Sequence, residues 1–195
     1  MQTQFSGLPI QRNILHMESK MTMQWMTGTL GQKNFFKDLA KESIRSGTIA
    51  SIAMIPFGIL FQLLGLRVGH YGKKLLEVFF TDLSELAFRL LMFIEHFTIG
   101  WLSAAPLLFF LVVLKNRFPA WSVGAIYGVV YYVVLNSLLL PLSFGDRTPW
   151  ELGFSVMYPS LIIHIVFGLS IALTSKRFVF SFARQAKRQA PPEVE

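Results

Sequence analysis

The chain alternates between four long apolar stretches and short polar segments. The apolar stretches cover residues 47–66, 92–114, 120–142 and 154–174. Each is close to the roughly 20 residues that a helix needs to cross a bilayer. In lipid the backbone polar groups must be satisfied within each span, so these segments are predicted to be helices. The pattern therefore predicts an all-α integral membrane protein with four transmembrane helices.

The segments around the spans divide the chain into three parts. Residues 1–45 form a cytoplasmic N-terminal segment, in which residues 32–45 have the basic amphipathic pattern of a surface helix or of an ordinary helix end. A transmembrane domain covers residues 46–175, and a basic cytoplasmic tail covers residues 176–195. In the first loop, apolar positions recur at three- and four-residue spacing over residues 75–90. This spacing predicts an amphipathic interfacial helix that runs into the second span.

The third loop has the sequence of a helix start. In the run Thr148-Pro149-Trp150-Glu151, a capping residue precedes a proline at the first helical position, and a glutamate follows three residues after the cap. This order is typical of a capping box. It predicts that the fourth helix begins here.

The basic residues are distributed unevenly around the spans. The net charge of the chain is +7. With both termini cytoplasmic, thirteen of the lysines and arginines lie on the cytoplasmic side and five on the other. The positive-inside rule favours this orientation. We interpret the basic excess as a signal for topology and for anionic lipid headgroups, and not as a nucleic-acid surface.

The second and fourth spans share a pattern of histidine, glycine and alanine at four-residue steps. The two runs are His96-x-x-x-Gly100-x-x-x-Ala104 and His164-x-x-x-Gly168-x-x-x-Ala172. Four-residue steps place each set along one face of its helix. The first and third spans also begin alike, around Gly47 and Gly124. We predict a tandem repeat of two helical hairpins, related by an axis along the membrane normal.

All four spans contain small residues four positions apart, which let helix backbones approach closely in lipid. The predicted helix-packing glycines are Gly47, Gly100, Gly124, Gly128 and Gly168. The pattern indicates a tight bundle. It also allows a homodimer through a small-residue face that the bundle leaves unused.

Three ionisable residues lie within the spans, namely His96, His164 and Glu95. Such residues are costly in lipid and usually face protein or water. The histidines either stay neutral and bind a partner helix, or form a protonatable site between the repeats, or ligate a b-type haem. Their unequal distances from the cytoplasmic ends of their spans disfavour haem. Glu95 is either an interfacial residue or a partner for His96, although adjacent helical positions point about 100° apart.

Sequence motifs of common enzyme classes are missing from the chain. It has no cysteine, which excludes disulfides and thiolate metal sites. It also has no phosphate-binding loop, dinucleotide-binding glycine pattern, zinc-protease motif or nucleophile elbow. The expectation is therefore a protein that is not an enzyme and that holds no metal and no cofactor, with haem b as the one alternative.

The second half of the chain, from about residue 90 to residue 177, resembles the YagU-like family of small bacterial inner-membrane proteins. The residues that carry the resemblance are His96-Phe97-x-x-Gly100, Gly124-x-x-x-Gly128, Pro141-Leu142, Asp146, Pro149-Trp150 and His164-x-x-x-Gly168. The resemblance implies four helices in the inner membrane and a role in envelope or acid-stress tolerance. A small transporter or channel component with a polar site at His96 and His164 is the alternative, followed by a haem-binding redox subunit.

Overall fold

The computed structural model describes residues 34–68, 71–80, 82–114 and 117–189. The predictions for residues 1–33 and for the end of the tail lie outside the described residues. Within these ranges the chain forms helices and loops, and no strand. The helices are α1 (Phe35–Leu63), α2 (Tyr71–Phe79), α3 (Glu85–Val113), α4 (Ala120–Tyr131), a π-helical segment (Tyr132–Leu139), α5 (Leu140–Phe144), α6 (Pro149–Leu152), α7 (Phe154–Thr174) and α8 (Lys176–Gln189).

Four helices are long and apolar enough to cross a membrane. They are α1, α3, the continuous run Ala120–Phe144 and α7. Most of their side chains are not buried inside the bundle, as expected for helices that face lipid. The prediction of an all-helical protein with four span-length apolar helices is therefore confirmed.

The first helix begins twelve residues before the predicted span. α1 runs without a break from Phe35, so residues 35–45 are its first turns and not a separate helix. Phe35 and Leu39 are buried there, and the Phe35 ring contacts Phe182 of α8 at a centroid distance of 5.3 Å. Packing against α8 thus holds these turns as an ordinary helix end.

Two of the predicted helix starts are placed differently in the structure. The helix of the first loop, α2, ends at Phe79 and does not continue into the second span. α3 begins separately after Ser84, whose hydroxyl accepts a hydrogen bond from the backbone N–H of Ala87 at 3.3 Å. In the third loop, Glu151 accepts a hydrogen bond from the Thr148 backbone N–H at 2.7 Å, but this cap opens only the short α6. Gly153, with φ +94°, separates α6 from α7.

The spans pack mainly in two pairs, α1 with α3 and α4 with α7, and α1 also contacts α7. Arg45 near the start of α1 donates a hydrogen bond to the carbonyl oxygen of Thr174, the last residue of α7, at 2.7 Å. Phe61 near the end of α1 contacts Tyr158 near the start of α7. α1 and α7 are therefore antiparallel. We call the end of the bundle with Arg45 and Thr174 the terminal end, and the other the opposite end.

The hydrophobic core lies toward the terminal end, where α1, α3, α7 and α8 meet. Its fully buried members include Ala50, Leu107 and Ile171. At the opposite end, an ion pair between Lys74 and Asp146 joins the first and third loops. The two pairs of spans are thus held together by apolar packing at the terminal end and by an ion pair at the opposite end.

Candidate functional site

His164 lies in the interior of α7 and is hydrogen-bonded through both ring nitrogens. Nδ1 lies 2.6 Å from the carbonyl oxygen of Ser160, and Nε2 lies 3.1 Å from Nδ2 of Asn136. A carbonyl oxygen only accepts, so Nδ1 carries the proton and donates it to Ser160. Nε2 is then the acceptor for the Asn136 amide, and the ring is a neutral imidazole with both nitrogens satisfied.

Two consecutive tyrosines flank the His164 ring. Tyr131 stacks on it with a centroid distance of 5.6 Å and an interplanar angle of 26°, and Tyr132 meets it at 5.6 Å and 51°. These residues stand where α4 passes into the π-helical segment that also carries Asn136. π-Helical turns are rare and occur frequently at functional sites. In this chain the change of helix type occurs at the residues that contact His164.

The polar side chains continue from His164 toward α3. The Tyr131 hydroxyl shares a hydrogen bond of 2.7 Å with the Ser103 hydroxyl, and the Tyr127 hydroxyl donates to the Ser103 carbonyl oxygen at 2.5 Å. Glu95 is half-buried on the same helix as Ser103. We call His164, Asn136, Tyr131, Tyr132, Ser103 and Tyr127 the His164 cluster. It connects α3, α4, the π-helical segment and α7.

Two hydroxyl groups of the π-helical segment, that of Tyr132 in the cluster and that of Ser137, are buried. The Tyr132 hydroxyl faces that of Ser137, but neither oxygen makes a hydrogen bond of good geometry within the part of the chain that the structure describes. A buried polar group that lacks a partner costs about 1–3 kcal/mol. The hydroxyl groups of Tyr132 and Ser137 can thus form further hydrogen bonds, and burying them without one lowers the stability of the fold.

His96 has different partners from His164. Its Nε2 lies 3.3 Å from the carbonyl oxygen of Ser51 in α1, and its ring meets the edge of Phe97 at 5.7 Å. His96 therefore contributes to the pairing of α3 with α1, whereas His164 contributes to the pairing of α7 with α4.

The predicted packing glycines lie at the closest approaches between paired spans. A Cβ atom added to Gly47 would lie 2.7 Å from the carbonyl oxygen of Gly100, and one added to Gly124 would lie 2.5 Å from that of Gly168. One added to Gly128 would overlap the carbonyl oxygen of His164. Only glycine permits these backbone distances, because any side chain would separate the helices.

The donor groups near His164 do not form a metal site. Among residues 34–68, 71–80, 82–114 and 117–189, no three histidine, aspartate or glutamate side chains stand close enough to hold a metal ion. A haem iron would need a free ring nitrogen on each histidine. At His164 both nitrogens already have protein partners, so iron ligation would require breaking the contact with Asn136.

The uncharged members of the His164 cluster were not predicted from the sequence. The cost of charge in lipid singles out the ionisable residues inside the spans, whereas polar side chains such as Asn also form hydrogen bonds between membrane helices. The four-residue spacing of Tyr127 and Tyr131, followed by Asn136, was the available signal. It places polar groups along one side of an otherwise apolar span.

No family model matches the chain, and no curated protein or solved structure matches it either. The resemblance to the YagU-like family therefore stays a prediction.

Proposed function

We propose that this chain is a non-enzymatic multi-pass protein of the bacterial inner membrane that contributes to envelope or acid-stress tolerance through the His164 cluster. The observation that carries the proposal is the His164 ring, which is hydrogen-bonded to Asn136 and flanked by Tyr131 and Tyr132 inside the bundle. Histidine is the side chain whose charge changes near neutral pH. A histidine held among polar groups in a span is therefore suited to respond to protons.

Protonation of His164 would change the hydrogen bonding of the cluster. A protonated ring donates through both nitrogens, so Nε2 could no longer accept from the Asn136 amide. Rotation of that amide by half a turn would present its oxygen to the new donor and restore the contact. The cluster thus has two hydrogen-bonded arrangements that differ by one proton, and this is the property required of a proton-responsive element.

In this proposal the spans form a tandem repeat and both termini are cytoplasmic. The repeat is supported by the equivalent glycine contacts of the two hairpins, Gly47 with Gly100 and Gly124 with Gly168. The orientation is supported by the positive-inside rule. Under this alignment His96 corresponds to His164, but the first hairpin has Ile59 where the second has Asn136. His164 is therefore the functional histidine, and His96 is its structural counterpart.

A small transporter or channel component is the second candidate. It is favoured by the π-helical segment, in which the Tyr132 ring lies against His164 and the buried hydroxyls of Tyr132 and Ser137 face each other without a hydrogen bond of good geometry. Such groups can accept or donate transient hydrogen bonds to a moving proton or small polar solute. A homodimer is compatible with both candidates.

The test is survival at low external pH of a strain that lacks the gene, complemented with defined variants. We expect the wild type and His96→Leu to restore survival, and His164→Leu and His164→Gln to fail at equal membrane levels. Gln keeps polarity at this position but does not titrate, so it separates proton binding from packing. A deletion without a phenotype, or equal rescue by all variants, would refute the proposal.

Proton movement decides between the two candidates. The wild-type protein is reconstituted into vesicles that contain a pH-sensitive dye, and an inward proton gradient is applied. A proton flux that disappears in His164→Gln but not in His96→Leu would support the transporter. A flux equal to that of protein-free vesicles would support the proton-responsive role without transport.

A further inference from the structure

A cleft of about 880 Å³ opens at the terminal end between α1, the end of α7 and the start of α8. Its charged and aromatic lining consists of Glu42, Arg45, Lys176, Arg177, Phe178 and Phe180. The volume lies in the range of sites that hold small molecules. The cleft is distinct from the His164 cluster, with which it shares no residue.

The lining of the cleft is net positive, because its one carboxylate is already neutralised. Arg45 donates from Nε and Nη2 to the two carboxylate oxygens of Glu42, at 2.9 and 2.5 Å. The Glu42 side chain is only 11% exposed. Within the described part of the chain, Lys176 and Arg177 are exposed and make no ion pair. Two cations therefore remain available to an anion that enters the cleft.

The Arg45 side chain lines the cleft and is fixed in position by its hydrogen bonds. Besides Glu42, it binds the carbonyl oxygen of Thr174 at 2.7 Å, which satisfies a terminal carbonyl group of α7. A cation at the C-terminus of a helix offsets the partial negative charge of the exposed carbonyl groups there. An anion in the cleft is thus shielded from the negative end of α7 by the Arg45 side chain.

The other wall of the cleft is aromatic. Phe180 is 49% exposed, and Phe178 packs partly against the core. An exposed phenylalanine beside unpaired cations suits a ligand with an anionic group and an apolar part. In a bundle of span-length apolar helices, both ends stand at the level of lipid headgroups, where phospholipids supply that combination.

We propose that this cleft binds the phosphate group of one anionic phospholipid. Lys176 and Arg177 contact the phosphate, Arg45 shapes the floor, and the apolar part of the lipid lies along Phe178 and Phe180. The basic residues elsewhere at this end attract lipid headgroups without binding them at a defined position. The cleft, in contrast, binds a single lipid molecule through specific contacts. The site does not depend on the proposed role in acid tolerance, and either idea can fail alone.

The test compares lipid binding by full-length protein in detergent, measured by native mass spectrometry. The chain is titrated with phosphatidylglycerol or with phosphatidylcholine of the same acyl composition. We expect one phosphatidylglycerol to bind in preference to phosphatidylcholine, and Lys176→Gln/Arg177→Gln to weaken that binding by about thirtyfold. The matched control is Lys37→Gln/Lys41→Gln, which removes the same charge from exposed positions of α1 outside the cleft. It is expected to change binding by less than about twofold.

Three results would overturn the proposal. Equal losses in the two double variants would indicate diffuse attraction to the basic surface. Equal binding of the two lipids would remove the anion site. Displacement of the lipid by millimolar inorganic phosphate would assign the cleft to a soluble anion. If both double variants unfold at the same temperature as the wild type, a loss of lipid binding is not caused by a loss of fold.

Discussion

The backbone of Gly128 lies directly against the carbonyl group of His164, so closely that a Cβ atom on Gly128 would overlap the carbonyl oxygen. This approach joins α4 to α7 within two turns of Asn136, the partner of the His164 ring. The packing of the pair and the hydrogen bonds of the cluster are therefore coupled. A change that separates the two helices will also lengthen the contact between Asn136 and His164.

The first prediction concerns Gly128→Ala. The added methyl group must push α7 away, and overpacking of this kind costs about 1–3 kcal/mol in the free energy of unfolding. The matched control is Gly58→Ala in α1, because a Cβ atom there meets nothing within 4 Å. This control is expected to leave stability unchanged or raise it by up to about 1 kcal/mol. Reversible unfolding in mixed detergent micelles gives both values, and similar losses in the two variants would contradict the packing described.

The second prediction concerns the contact between Asn136 and His164. A double-mutant cycle with Asn136→Leu and His164→Leu is expected to give a coupling energy of about 1 kcal/mol, which is typical of hydrogen bonds between membrane helices. Asn136→Leu combined with His96→Leu serves as the control. Because His96 binds Ser51 in α1 instead, these two changes are expected to be additive. A coupling of zero in the first cycle would show that the contact does not form in the membrane.

The four spans could be predicted from the sequence because the signal is local. Twenty apolar residues in a row predict a helix across the bilayer without reference to the rest of the chain. For residues 32–45 the sequence left a surface helix and an ordinary helix end as alternatives, because the contact of Phe35 with Phe182 of α8 joins positions far apart in the chain and has no local signal. The break after α2 depends on Ser84, which was not recognised as a cap.

The candidate site could be predicted only in part, for a physical reason. His164 was identified because an ionisable group within a span is costly. Its partners Tyr131 and Asn136 come together through a π-helical segment and through the pairing of α4 with α7. Neither the change of helix type nor the rotation of one span against another follows from the order of residues. The repeat and the orientation in the membrane remain predictions.

The third prediction concerns the ion pair between Glu42 and Arg45 within α1, in which Arg45 also binds the carbonyl oxygen of Thr174 in α7. Arg45→Met leaves the mostly buried Glu42 carboxylate without its partner and is expected to cost about 2 kcal/mol, since Arg45 is half exposed. Adding Glu42→Gln removes the unpaired charge and is expected to restore part of the loss. The control is the exposed pair Glu85 and Arg89, whose side chains are 76% and 75% exposed. Its removal is expected to cost less than about 0.5 kcal/mol. Thermal unfolding of these variants tests the order, and an Arg45→Met/Glu42→Gln variant less stable than Arg45→Met would contradict it.

The fourth prediction concerns orientation. The chain has no cysteine, so a single introduced thiol reports its own side of the membrane. In intact cells, a membrane-impermeant maleimide is expected to label Lys73→Cys in α2 but not Arg177→Cys at the start of α8, because the terminal end is predicted to be cytoplasmic. Both are expected to react after the membrane is permeabilised, which verifies that each thiol is accessible. Labelling of Arg177→Cys alone in intact cells would reverse the orientation.

The contact between Arg45 and Thr174 also constrains how the protein is made. The two residues are separated by 129 positions in the chain, and ribosomes add about 5–20 residues per second. α1 therefore waits in the membrane for roughly ten seconds before its last partner is synthesised. During that interval the face of α1 that will bind α7 is covered by lipid or by the insertion machinery. Assembly of this bundle is thus completed only after α7 and α8 have been synthesised and have reached the first helix.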